Sequence, residues 1–205
     1  MKTFPEQIPI FPLSGVIYFP KTNLPLNIFE QRYLHLINDA IKKDKLMGMV
    51  QSKREGKEMY KIGCLGKISD YQKDNSGRVL INLTGLTRFE ITEEITNSKL
   101  YREFKVEYEK FKIDTDTMKE EINTGSLIEK SKIFFKRSGL ILNWDEFEKI
   151  DLTQKINTLA MIAPIANEEK QKLLETIFLK EKVKTLEDII SFYLHDINFE
   201  NQTVQ

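Results

Sequence analysis

The chain has 205 residues, 40% hydrophobic and 30% charged, which excludes disordered and fibrous classes and allows one domain or two small ones. Formal net charge is zero but unevenly shared: residues 1–112 hold 19 Lys and Arg against 14 Asp and Glu, and residues 113–205 hold 12 against 17. Phosphate neutralisation supplies most of a nucleic-acid binder's affinity, so a chain without a marked basic surplus is not expected to be one. Cys64 is the only cysteine, so no intrachain disulfide can form and a reducing compartment fits. Residues Met1 to Gln7 lack the apolar core of a signal peptide, and no apolar run reaches the ~18 residues of a membrane span. A cytoplasmic protein is expected.

Five of the six prolines fall in the first 25 residues: Pro5, Pro9, Pro12, Pro20 and Pro25. Proline donates no ladder hydrogen bond, so this stretch predicts short extended pieces broken by turns. Tyr33, Leu34, Ile37, Ala40 and Ile41 then recur at helical spacing, with Arg32, His35, Asp39 and Lys42 opposite, which predicts a helix over about 30–43. Leu46 to Val50 reads as a buried strand, and Tyr60 to Ile68 as a strand with glycines at a bulge or close approach. Asp74-Asn75-Ser76-Gly77 is a turn, followed by strands over 78–83, 86–95 and 101–112. Six or seven strands with one helix suit a small, partly closed barrel, which hides sheet edges.

Helical texture follows. Thr117-Met118-Lys119-Glu120 and Ser126-Leu127-Ile128-Glu129 both read as capping boxes, with Asn123-Thr124-Gly125 leaving open one helix or two. Asp151-Leu152-Thr153-Gln154 starts a helix that stops near Pro164, and Asn167-Glu168-Glu169 caps the next. The last runs over about 180–197, with Val183, Leu186, Ile190, Tyr193, Leu194 and Ile197 on one stripe. The expected organisation is α+β: a β-barrel domain over 1–112, a bundle of antiparallel helices over 113–200, and a frayed tail over 201–205.

No catalytic constellation is visible. Gly63 to Ser69 lacks the G-x-x-x-x-G-K spacing of a phosphate loop. His35 and His195 stand far apart and outside any ligand cluster, and the Asp114-x-Asp116 pair reads better as a helix-start cap than as a metal site. Cys64 lies among Ile62, Leu65 and Ile68, where a free thiol acts as a small core hydrophobe. Glu93 and Glu94 are adjacent in a strand, so they face opposite sides and read as surface charge. Neither a cofactor nor a metal is expected. What remains is aromatic surface: Tyr18, Phe29, Tyr33, Tyr71, Phe89, Tyr101 and Phe104 exceed what a small barrel interior should hold, and any exposed cluster among them is a docking site.

From Ile8-Pro9-Ile10-Phe11-Pro12-Leu13 through Val16-Ile17-Tyr18-Phe19-Pro20, Ile28-Phe29-Glu30-Gln31-Arg32-Tyr33, Tyr60 to Gly66 and Val79 to Phe89, the chain resembles the N-terminal, substrate-binding domain of Lon proteases. Asn143-Trp144-Asp145, Leu159-Ala160-Met161 and Glu169 to Glu175 resemble the helical extension of the short, stand-alone bacterial members. The resemblance implies a PUA-like barrel followed by a helical bundle, without ATPase or protease activity. It further implies recognition of unfolded or degron-bearing polypeptides, as an adaptor or substrate-recognition factor in protein quality control, partnered with a protease or chaperone. Tyr18, Phe29, Arg32, Tyr33, Tyr71 and Tyr101 are the candidate binding residues. RNA binding, known for PUA-like barrels, is the alternative. One departure stands out: the family's glycine after Phe-Pro is Lys21 here, which predicts a type I or looser turn in place of one needing positive φ. Glu30 is expected at the positive end of the first helix, Tyr33 against the barrel, and Arg32 beside an acid.

Overall fold

The computed structural model describes residues 4–53, 58–75, 77–115 and 121–202, with side chains described as far as residue 195. The chain folds as two compact units, residues 1–117 and 118–205. The capping box at Thr117 to Glu120, with Asp116, lies outside the described residues, as does the end of the 201–205 tail beyond Gln202.

The first unit is a six-stranded sheet with one α-helix. Its strands are β1 (Gln7–Leu13), β2 (Asn23–Ile28), β3 (Leu46–Gln51), β4 (Ile62–Lys73), β5 (Val79–Ile95) and β6 (Arg102–Glu107), and helix α1 (Gln31–Lys42) stands between β2 and β3. Strand order is β2-β5-β4-β3-β1-β6, and β6 pairs again with the far end of β5, so the pairings return on themselves. β5 is one strand where the sequence suggests two, because Gly85 does not break it. A Cβ at Gly85 would lie 2.3 Å from the Phe19 carbonyl oxygen, so that glycine lets the Phe19–Pro20 backbone press against the strand. Register shifts opposite Leu65/Gly66, at Ile68/Asp70 and at Ile91/Glu93 mark the bulges that bend so long a ladder.

β1 shows how prolines survive inside a sheet. Its first half, with Pro9, pairs with β6, and its second half, with Pro12, pairs with β3; the two pairings overlap only at Ile10. Each proline therefore occupies a stretch with a partner on one side, where a missing donor costs little. The core gathers Ile8, Ile10, Val50, Leu65, Phe89, Phe104 and Val106 from five strands. Each such side chain contributes about 1.5–3 kcal/mol through removal from water. The 101–112 segment is strand only to Glu107; a 3-10 stretch follows over Glu109–Thr115.

Arg88, only 1% exposed, is the largest side chain so deeply buried. Its guanidinium and its backbone N–H donate to the Asp114 carboxylate at 2.8–3.3 Å, and it stacks 4.5 Å from the Phe111 ring centroid. Asp114 is thus neither a helix cap nor a ligand. It neutralises a cation that the sheet has taken out of water.

The second unit is helical: α2 (Gly125–Arg137), α3 (Trp144–Lys149), α4 (Leu152–Ile162), α5 (Asn167–Glu175) and α6 (Leu179–Gln202). Asn143 and Asp151 cap α3 and α4 by accepting from the Glu146 and Gln154 amides. Two expected caps are corrected. Ser126 lies inside α2 and donates to Glu187 on α6, and α5 starts after Ala166, whose N–H donates to Glu169. Ser126 and Lys130 meet Glu187, Phe134 meets Tyr193, and Arg137 reaches the Leu194 carbonyl. These partners advance together, so α2 and α6 run parallel, against the antiparallel expectation. Val183, Leu186 and Ile190 form the buried stripe of α6 as expected. Among the described residues no helix is long and apolar enough to cross a membrane.

Candidate functional site

The six candidate residues separate by burial. Tyr18, Tyr33 and Tyr101 are 2%, 5% and 5% exposed and serve the interior of the first unit, as do Phe89 and Phe104. The first unit buries five of the seven aromatics picked out by sequence, and glycines at Gly48 and Gly63 make room for one of them: a Cβ at either would fall 2.8 Å from the Phe89 ring. Tyr33 packs on Phe11 with ring centroids 4.1 Å apart and ties α1 to β1. Tyr101 donates to Asp39 of α1 at 2.8 Å across a recess of about 300 Å³, where the neighbouring Glu103 is held by Lys99 and Asn97. Desolvation raises the Tyr18 and Tyr33 phenols above their ordinary range, so both stay neutral and apolar in character.

Phe29 and Tyr71 remain at the surface, 65% and 38% exposed, and Leu80, absent from the sequence expectations, joins them at 50%. Register places the three at one end of the ladder, on both of its faces. Across β2, β5 and β4, successive rows read Leu26–Ile81–Tyr71, Asn27–Leu80–Gln72 and Ile28–Val79–Lys73, and Phe29 follows the last row directly. Tyr71 and Leu80 sit on opposite faces, because adjacent rows of a ladder alternate. On the Leu80 side lies a shallow recess of about 350 Å³ lined by Pro25, Asn27, Asp70, Gln72, Leu80 and Asn82. Its lining mixes the apolar Pro25 and Leu80 with the amides of Asn27, Gln72 and Asn82 and the Asp70 carboxylate. Leu80 was legible in principle: in Val79-Leu80-Ile81-Asn82-Leu83-Thr84 it is the one apolar residue out of phase with the buried set.

Arg32 is exposed, held at 2.7 Å by Glu30 and stacked 4.6 Å from the Tyr33 ring, so the acid expected beside it is Glu30. Glu30 occupies the N-cap position of α1 without capping it through its side chain. Cys64 is buried, and its thiol donates to the Leu65 carbonyl. His35 and His195 are exposed. Glu93 and Glu94 pair across the ladder with Lys105 and Arg102. No cluster of three or more potential metal ligands occurs among the described residues. Lys21 contradicts the turn expectation: its φ is +60°, held by donation of its N–H to the Gly85 carbonyl at 2.9 Å. The turn keeps the glycine-type conformation although the residue has changed.

The first unit is thus a sheet with one helix and an exposed apolar ladder end. The family model for the substrate-binding domain of the ATP-dependent protease La (LON) matches residues 7–191, and the chain belongs to that family. It is 27% identical over 206 residues to a Lon protease of Syntrophus aciditrophicus, covering 93% of this chain and 25% of that protein. A Lon protease of Flavobacterium johnsoniae is 33% identical over 98 residues, covering 45% of this chain and 12% of that protein. The chain spans about a quarter of the length of the curated relatives that match along most of it. Among solved structures, a Lon N-terminal domain protein from Xanthomonas campestris superposes with a TM-score of 0.64 at 19% identity, covering 88% of this chain and 96% of that one. The N-terminal domain of a Mycobacterium avium complex Lon protease does so with 0.62 at 16% identity, covering 90% and 98%. The fold is therefore that of Lon N-terminal domains, a mixed α+β arrangement.

Proposed function

We propose that this chain is a non-catalytic polypeptide-recognition module that acts as an adaptor or substrate-recognition factor in cytoplasmic protein quality control, serving a protease or chaperone. The observation that carries the reading is the ladder end: three large apolar side chains stay exposed within a few residues of one another, while the other aromatics of the candidate set are consumed by the core. The family's description as a substrate-binding domain supports it. We take the closed ring of pairings as a small PUA-like barrel over residues 1–112, from which the β2–β5–β4 end projects, with a helical bundle domain over 113–200.

The physics is removal of apolar surface from water. The edge strand β2 carries Pro25, which blunts strand addition, so a bound chain lies across the ladder face and is not added as a further strand. Leu80 and Phe29 supply the area, and Asn27, Gln72 and Asn82 offer both donors and acceptors to a peptide backbone. Fluorescence anisotropy with one labelled test protein, native and permanently unfolded, examines this. Saturable binding of the unfolded form that persists in high salt is expected; equal binding of both forms contradicts the reading.

A further inference from the structure

Two residues other than glycine have a left-handed backbone among the described residues, and both are lysines: Lys21 at φ +60° and Lys45 at φ +63°. A Cβ disfavours that conformation by about 1–2 kcal/mol, and glycine or asparagine is its ordinary occupant. Backbone bonds of the two lysines help hold these turns, beside a Thr22 hydroxyl that donates to the Phe19 carbonyl in one and a Leu46 N–H that donates to Asp44 in the other. Lys21 N–H donates to Gly85, Lys45 N–H donates to Ala40, and the Lys45 carbonyl accepts from Ile68, all at 2.8–2.9 Å. Glycine would make the same backbone bonds with less strain, so the Lys45 side chain is retained at a conformational cost. An observed backbone outlier of this kind points towards function.

Register brings the two turns to one place. Gly85, which holds Lys21, pairs with Gly66; the next residue, Lys67, pairs with Leu46, which follows Lys45. Lys43 stands in the same turn at the end of α1. Lys43, Lys45 and Lys67 are exposed, and no acidic side chain pairs with any of the three among the described residues. Asp44, lying between two of them, has its carboxylate engaged by the Leu46 amide at 3.0 Å. By contrast, the lysines and arginine beside β6 are matched one to one by Glu90, Glu93 and Glu94. The row of Lys43, Lys45 and Lys67 is one place where positive charge of the first unit has no acidic side chain paired to it among the described residues, as at Lys42, Lys61 and Lys73, and it is the one gathered by register.

We propose that this row receives an acidic segment of the polypeptide that the first unit binds, so that a glutamate- or aspartate-rich stretch beside an apolar stretch is the preferred substrate class. The proposal rests on the polypeptide-binding reading. Charge complementarity selects the occupant: several ammonium groups on flexible stems suit scattered carboxylates. The apolar ladder end supplies affinity that salt leaves intact, and the row adds an increment that salt removes.

The test uses the full chain and three labelled peptides with one shared aromatic-aliphatic core, flanked by glutamates, serines or lysines. The glutamate-flanked peptide is expected to bind about tenfold tighter than the serine-flanked one at low salt, with the difference gone near 1 M salt, where the screening length falls to about 3 Å. Lys45→Gly is expected to raise the melting temperature by about 2–4 °C while cutting that preference several-fold, an opposition that a purely structural lysine does not produce. Lys45→Gly combined with Lys67→Gln is expected to erase the preference and leave serine-flanked binding unchanged. If glutamate- and serine-flanked peptides bind alike, the inference fails and the polypeptide reading stands. If none of the three binds at any salt, both fail. A single-stranded RNA of equal charge that binds more tightly than the glutamate-flanked peptide also overturns the assignment.

Discussion

The two ends of the β4–β5 ladder put similar residues to opposite uses. At one end Gly63 faces Phe89, Cys64 faces Arg88, and the rows vanish beneath β3, β1 and β6. At the other, Tyr71 faces Ile81 and Gln72 faces Leu80, with only β2 beyond, and apolar side chains reach solvent. Side-chain type does not separate the ends; the number of strands that cover them does. A ladder that outruns the ring of pairings leaves its last rows half-buried, and those rows carry the exposed Tyr71 and Leu80.

Substitutions that break this contrast should do so unequally. At the covered end, Arg88→Ala leaves the Asp114 carboxylate buried without its cation and should destabilise by about 3–5 kcal/mol in urea unfolding, whereas exchanging both residues for apolar ones of similar volume should cost far less. Equal losses for the single and double variants would show that the pair is not held by charge compensation. Gly63→Ala places a Cβ 2.3 Å from the Met49 carbonyl oxygen and should cost about 1–3 kcal/mol through overpacking. At the open end, Leu80→Ser and Phe29→Ser should leave stability within about 0.5 kcal/mol, as surface changes do. Each should nevertheless weaken binding of unfolded polypeptide by about tenfold or more, the size of an apolar side chain's burial. Lys21→Gly is the smallest change and of opposite sign: relief of a left-handed Cβ should stabilise by about 1 kcal/mol, read as a higher urea midpoint.

Much of the fold was legible because it is written in local pattern. The helix expected over 30–43 is Gln31–Lys42, the strand after it begins at Leu46, and Asp151 caps α4 as its spacing implies. What escaped depends on partners far along the chain. Gly85 reads as a break until Phe19 is known to press on it, and Asp114 reads as a cap until Arg88 is seen across the sheet. The parallel run of α2 and α6 follows from side-chain pairs some sixty residues apart, which periodicity does not encode. The exposed apolar patch was half legible. Phe29 and Tyr71 were picked out by residue type, but type also selected Tyr18, Tyr33 and Tyr101, because burial depends on partners far along the chain, such as Phe11 for Tyr33 and Asp39 for Tyr101. Leu80 carried the better signal, an apolar residue in the wrong phase of an alternating strand.

Backbone amide shifts of the isotope-labelled chain, followed while an unfolded polypeptide is added, test the central claim most directly. The expected perturbations gather on Leu24 to Phe29, Asp70 to Lys73 and Val79 to Asn82, leaving the rows around Cys64 and Phe89 still. Perturbations confined to α2–α6, or spread evenly over both ends of the ladder, would contradict it.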